Sequence, residues 1–355
     1  MYLPQEPAMP SLYFASTILH LYAAAVIAAE RNEEAHLIFI DQPEGKDFPL
    51  YKLVQEWQSS PFKSVRLFHG RFPGVLNKLR KRKALFQKLE ASVQEIRPQN
   101  IFVGNDRRIE FQYSMHVAET LGLKPVGHYM DEGTYTYMGR KDSEGFGDAV
   151  LDNLAKKLSY GFWWKNPPTI GGSDWIRFVH VAFPQYVHPI LKQKDVIQLS
   201  AEGFKSQAIR SLSSAIISHY EYSGEALRDI QALFTLPHES LFEKHPRNIE
   251  SLLKNLDKKI AEGKPTAIKY HPRNSAEDIL NLEEKGAILI PAGISFEAIL
   301  PLLPDNSEVW GDVSSTLLIS KWLRPHIRVI SVAGNNHENS ALIKVLRDIG
   351  VEINT

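Results

Sequence analysis

The stretch SLYFASTILHLYAAAVIAAERNEEAHLIFID, residues 11–41, decides how the chain is read. SLYFAS is a short apolar run, TILHLYAAAVIAAERN has the length and composition of a helix, and AHLIFID is a second short run. Strand, loop, helix, strand is the repeating unit of a parallel sheet, whose strands are covered on both faces and so read as continuous rather than alternating apolar runs. LHLYAAAVIAAE is apolar for about a dozen residues, against the roughly 20 that a bilayer span needs. MYLPQEPAMPSLYF places no basic region before its first apolar run. The expectation is a soluble, cytoplasmic protein.

Outward from that stretch the rhythm continues. SVRLFHG reads as a strand, VLNKLRKRKALFQKLEASVQEIRP as a long helix ended by Pro98, and NIFVGND as a strand stopping at Gly104. IEFQYSMHVAETLG reads as a helix with a glycine cap at Gly122, and KPVGHYMDEGTYTY as a strand running into a polar turn. Between about Lys156 and Ile190, YGFWWKNPPTIGGSDW concentrates Gly, Pro and Trp, the texture of a linker or flap. Trp163 and Trp164 there either cover a ligand or plug a seam between domains. Beyond it SLFEKHPRNIESLLKNLDKKIAEG, SAEDILNLEEKG, SFEAILPLLP and STLLISKWL read as helices. PTAIKYHP, AILIPA, SEVWGDVSS and IRVISVAG read as strands with their exits, and a last helix follows. No internal repeat or low-complexity run is present. The fold class expected is α/β, two Rossmann-like domains facing each other across a cleft: residues 1–155, a linker or flap over 156–190, and residues 191–355. In such open sheets ligands sit beyond the carboxyl ends of the strands.

Composition narrows the function. The 355 residues carry 41 Lys+Arg and 41 Asp+Glu, which removes a global electrostatic case for nucleic acid. Cysteine is absent, so there is no disulfide framework, thiolate metal site or cysteine nucleophile. The sequence has no D-x-D triplet, P-loop, dinucleotide fingerprint or H-E-x-x-H. Neither a metal bridging a diphosphate nor a bound cofactor is expected. The run KLRKRK, residues 78–83, is the one basic concentration; it can make a peripheral contact with the inner membrane, and a solvated helix face is its more common use.

The polar clusters fall at expected strand exits. In KYHPRN, Lys269 supplies a positive charge, His271 a donor able to meet a phosphate or move a proton, and Pro272 stiffens the turn. A bare HP more often just ends a strand; the second one, at His245 and Pro246, falls within a region read as helical and is given no functional role. Ser314, Ser315 and Thr316 enter a helix whose first N–H groups can meet an anion, though a simple N-cap has the same appearance. In PAGISFE, the loop Gly293, Ile294, Ser295, Phe296 leads to Glu297, a carboxylate placed either for ribose hydroxyls or for the helix dipole. Asp131 and Glu132 precede Gly133, which permits a tight turn; one carboxylate can act as a general base, or the turn is only a solvated one. Ser16, Thr17, His69, Asn105, Asp106 and Tyr135 are loop residues on the acceptor side, with Asn105 preferred because it ends a strand beside that of Asp131.

DEG, KYHP, PAGISFE and SS, in this order, resemble the bacterial sialyltransferases that share a D/E-D/E-G motif, an HP motif and a paired-serine motif, and equally related transferases of CMP-activated nonulosonic acids. Glu297 lies 26 positions and Ser314 43 positions after His271, gaps similar to the family's. The resemblance implies a GT-B architecture and an inverting, metal-independent transfer of sialic acid, or of a pseudaminic, legionaminic or Kdo-type sugar. The partners implied are a CMP-sugar donor and a glycan acceptor in capsule or lipooligosaccharide. It implies that Asp131, with Glu132 in reserve, deprotonates the acceptor, and that His271 meets the departing phosphate. Ser314 and Ser315 would bind that phosphate, Glu297 the ribose, and Lys269 with the backbone near Ile294 and Phe296 the cytidine. A rival from another class is a two-domain sugar-binding protein without chemistry.

Overall fold

A computed structural model describes residues 9–139, 157, 160–333 and 340–354. The chain divides into two compact units, Met1–Leu199 and Ser200–Thr355.

The first unit is built on a seven-stranded sheet in which every pairing is parallel. Its elements run β1 (Pro10–Ala15), α1 (Ile18–Arg31), β2 (Glu34–Pro43), α2 (Pro49–Gln55), β3 (Phe62–Arg71), α3 (Val75–Ile96), β4 (Asn100–Val103), α4 (Ile109–Thr120), β5 (Val126–Met130), α5 (Thr134–Met138), β6 (Ile176–Val181) and β7 (Asp195–Gln198). The order across the sheet is β3-β2-β1-β4-β5-β6-β7, so the chain reverses direction of growth between β1 and β4. α1 starts at an N-cap, Thr17, whose Oγ1 accepts the N–H of His20, and stops at Asn32 in left-handed geometry (φ 47°). All of its residues from Leu19 to Ala28 are buried, which accounts for an apolar dozen with no polar face. α3 ends at Arg97 (φ 50°) because the residue before a proline is pushed out of the helical region.

The second unit has a six-stranded sheet, again parallel throughout. It comprises α6 (Gln207–His219), β8 (Ala232–Thr235), α7 (Pro246–Ala261), β9 (Thr266–Lys269), β10 (Ile288–Ile290), α8 (Phe296–Ile299), β11 (Glu308–Gly311), α9 (Ser315–Leu323), β12 (Arg328–Ser331), α10 (Ser340–Asp348) and β13 (Glu352–Ile353). The order β10-β9-β8-β11-β12-β13 puts its reversal between β8 and β11. α7 opens on Pro246 and lays Leu252 and Leu256 into a core with Phe234, Ile268, Tyr270 and Trp310, so the second HP is a helix start and carries no functional role.

Two expectations are corrected. Residues 156–190 are not a linker or flap: β6 lies within them and pairs with β5, and the first unit continues through β7 to Leu199. Asp106 fixes the glycine-rich part, Oδ1 accepting the N–H of Gly171 and Oδ2 that of Ser173, both at 2.8 Å. Trp163 stacks on His116 and packs beside Phe86 and Tyr113, within the first unit, and Trp164 is buried. Residues 156, 158 and 159 of that segment, and 1–8 of the leading stretch, lie outside the described residues. SAEDILNLEEKG forms turns rather than a helix. Asp278 takes the Tyr270 hydroxyl at 2.7 Å and the Glu283 N–H at 2.9 Å, local bonds that compete with a helical ladder.

Candidate active site

Within the second unit the strand exits singled out by sequence, those of β10, β9 and β11, lie on one stretch of the sheet, with β8 between β9 and β11. β10, β9, β8 and β11 stand side by side, and their carboxyl ends lead into Pro291–Ser295, His271–Asn274, Leu236–Ser240 and Asp312–Ser314. Thr235 at the end of β8 ties that exit to the exit of β11: its Oγ1 donates to Trp310 O at 3.1 Å and lies 3.4 Å from Thr316 Oγ1, which lies 2.6 Å from Ser314 Oγ. A side chain at Gly311 would place its Cβ 2.5 Å from Thr235 Oγ1, so this approach requires glycine. Ser314 occupies the N-cap position of α9 but makes no capping hydrogen bond, contrary to the simple N-cap reading, and Ser315 is exposed. The first N–H groups of α9 therefore lack a side-chain cap from Ser314, the electrostatic condition for an anion.

Lys269 is buried, and its Nζ donates to Pro291 O at 3.2 Å and Ala292 O at 2.9 Å. It holds the PAGISFE loop rather than projecting from it. Burial brings its pKa down to about 8, against a raising influence from Glu297. Burial likewise raises the Glu297 carboxyl, with Lys269 opposing. Ser295 caps α8 by accepting the N–H of Ala298 at 3.3 Å. Gly293 sits beneath Tyr220, where a Cβ would come within 2.6 Å of the ring. His271 is half-buried, and its Nδ1 accepts the N–H of Arg273 at 3.2 Å. Burial, then Arg273, His238 and Lys269, lower its pKa and favour the neutral ring. Pro272 follows it in the turn.

In the first unit β1, β4 and β5 are adjacent and end at Ser16, Asn105 and Asp131. The expectation that Asp131 is the free carboxylate meets a different arrangement. Asp131 is fully buried; Oδ1 accepts from Gly133 N and Thr136 Oγ1, each at 2.8 Å, and Oδ2 accepts from Ala182 N at 3.0 Å and from the Tyr137 hydroxyl. Burial raises its pKa and these donors oppose the shift. Gly133 makes the turn at φ 79°, a conformation open to glycine. Glu132 is the uncommitted member of the pair. Its Oε1 has only a long bond from Asn105 Nδ2, 3.4 Å, and its Oε2 is buried with no hydrogen-bond partner among the described residues. Burial carries its pKa up to about 8, with Arg108 and Asn105 pulling the other way.

The other acceptor-side candidates divide. Asn105 does reach Glu132, but Asp106 is a buried anchor and Thr17 a helix cap. Ser16 Oγ lies 3.1 Å from Nδ1 of His20, a buried residue that sequence reading passed over. His20 lies over Gly104 so closely that a Cβ there would meet its Nε2 at 2.0 Å. Tyr135 is half exposed, and His69 Nδ1 is buried without a partner among the described residues. Of the basic run, Lys81 pairs with Glu44 at 2.6 Å and Arg82 lies over the Tyr160 ring. In a 420 Å³ cavity at the opposite ends of β11 and β12 most charges are spent on one another: Lys259 on Glu308 at 2.5 Å, Arg328 on Glu308 at 2.9 Å and on Glu352 at 2.7 Å.

Two parallel-sheet units of this kind, with polar groups gathered at the carboxyl ends of adjacent strands, define an α/β protein of the GT-B class. Solved structures share the fold. An α/β-galactoside α-2,3-sialyltransferase from Photobacterium phosphoreum superposes with a TM-score of 0.57 at 17% identity, covering 98% of this chain and 99% of that one. A UDP-GlcNAc 2-epimerase from Methanocaldococcus jannaschii gives 0.51 at 11% identity, covering 95% and 91%. A family model described as alpha-2,8-polysialyltransferase (POLYST) matches residues 11–333. The chain belongs to that family, and it is a sialyltransferase-like enzyme, a glycosyltransferase that binds a nucleotide-sugar donor and a glycan acceptor. No curated protein matches it in sequence. Among the described residues no helix is long and apolar enough to cross a membrane.

Proposed function

We propose that the enzyme transfers sialic acid from CMP-sialic acid to a hydroxyl of a surface glycan, with inversion and without a metal. The family's described activity makes a chain ending in sialic acid the acceptor to try first. Capsule and lipooligosaccharide are the glycans in which such a chain is built. In this reading Glu132 takes the proton of the acceptor hydroxyl, replacing Asp131 in the base role, while Asp131 shapes the turn that presents it. The acceptor oxygen attacks the anomeric carbon, the glycosidic C–O bond breaks, and its electron pair stays on the phosphate oxygen of CMP.

The observation that carries this reading is the placement, at the exits of β9 and β11 on either side of β8, of the His271 imidazole, Ser314, Ser315 and Thr316, and the start of α9 without a cap from Ser314. Fixed donors aimed at oxygens that gain charge in the transition state are worth about 3–4 kcal/mol each in comparable oxyanion sites. A monophosphate leaving group needs no more than such donors. Glu297 and the backbone of Gly293, Ile294 and Phe296 take the ribose and base, with Lys269 holding their loop. Calorimetry with CMP and UDP tests the nucleotide, and tighter UDP binding would end the proposal. A panel of CMP-sugars with product detection by mass, in the presence and absence of EDTA, then fixes the sugar and tests metal independence.

A further inference from the structure

Beside His271 stands a second imidazole. His238 follows β8, the strand next to β9, and its ring centre lies 5.3 Å from that of His271, with the planes at 79°. Both rings are held in the same way. His238 Nδ1 accepts the N–H of Ser240 at 3.2 Å and lies 2.9 Å from Ser240 Oγ. His271 Nδ1 accepts the N–H of Arg273, two residues on, at the same 3.2 Å. A neutral imidazole that accepts at one nitrogen carries its proton on the other, so each ring presents Nε2–H. The tautomer is imposed by the local turn.

The two turns are also fastened to each other. Glu239 N donates to Asn274 Oδ1 at 3.1 Å, and Ser275 donates to Glu239 Oε2 from both its N, at 3.1 Å, and its Oγ, at 2.7 Å. One carboxylate and one amide thus lock the loop after β8 to the loop after β9. Both histidines are half-buried and reachable. His238 follows β8, which flanks the reversal of sheet order between β8 and β11, where ligands sit in open parallel sheets, and His271 follows the next strand, β9.

We propose that His238 is a second donor to the phosphate of the nucleotide, acting with His271 as a pair of Nε2–H groups on one phosphate. The inference rests on the CMP-donor reading, since it presupposes a phosphate at these exits. No proton leaves His238: as the glycosidic bond breaks, the bonding pair goes to the phosphate oxygen, the acceptor's proton goes to Glu132, and the paired N–H groups meet the added negative charge.

The test compares wild type, His238→Ala and His238→Gln by calorimetry with CMP and with cytidine. His238→Ala should bind CMP roughly ten- to a hundredfold more weakly, the scale of one hydrogen bond to a charged group, with cytidine affinity kept within about twofold. His238→Gln, whose amide can stand in for Nε2–H, should recover most of the loss. NMR of the ¹⁵N-labelled wild type should place the protons of both rings on Nε2. Unchanged CMP affinity in His238→Ala, or a proton on Nδ1 of His238, overturns the inference while leaving the donor reading intact. A wild type that binds cytidine as well as CMP overturns both. Should the Ala variant fail to fold, the Gln variant and the tautomer decide.

Discussion

The two units solve opposite problems at the same place, the carboxyl end of a parallel sheet. In the first, acidic groups are taken out of water: Asp131 is enclosed by four donors, and Glu132 Oε2 is buried with no hydrogen-bond partner among the described residues. In the second, donors remain reachable and are fixed by short turns, as at His271 and at the exposed Ser315. The difference follows from chemistry. A carboxylate becomes a useful base near neutral pH when desolvation raises its pKa, whereas a phosphate-binding group must keep its N–H or O–H free and aimed.

The sharpest way to break this comparison is at Glu132. Glu132→Gln should lower the transfer rate by about a thousandfold, within the range for loss of a general base, with CMP affinity kept within about twofold. In the wild type the rate should rise with pH through about 8, the pKa to which burial carries Glu132. A flat profile, or full activity in the Gln variant with loss only in Asp131→Asn, would return the base role to Asp131. Asp131→Ala is expected to act on folding instead, costing about 3 kcal/mol or more because four donors lose a buried acceptor. Chemical denaturation measures that loss.

Acid should separate the units next. In the first, burial pushes His128 down to about 2 and His20 and His180 to about 4, so all three are neutral in the fold. The unfolded chain takes up their protons below about pH 6.5, so stability is lost as the pH falls from there toward these values, by about 2 kcal/mol per histidine at pH 5. Hydrogen exchange at pH 7 and pH 5 checks this, with amides of β1, β4, β5 and β6 expected to lose protection before those of β8 and β9. The smallest effect is expected at Ser315, where Ser315→Ala should weaken CMP by roughly tenfold or less, read by calorimetry.

Much of this is legible in the sequence. Continuous apolar runs such as LIFI and IFV sit on both-face-covered strands, and the polar clusters of the second half do stand at adjacent exits. Legibility failed where the deciding forces are tertiary. β6 hides in a segment rich in Gly, Pro and Trp because Asp106 holds its approach through backbone N–H groups, which leave no periodic trace. β8 leaves no signal in the sequence although it is central, since ALFT is four residues long and unmarked by a motif. His238 sits in PHES, which carries no pattern until the fold brings it beside His271. The choice between Asp131 and Glu132 was equally closed to sequence: adjacent carboxylates differ only in which donors surround them.

Lys269 gives the last consequence. A single ammonium gathers the carbonyls of Pro291 and Ala292, while Gly293 lies beneath the Tyr220 ring. On the proposed nucleotide reading, retargeting to another nucleobase would therefore leave the lysine alone and vary residue 220, since altering the peg would slacken the whole rim at once.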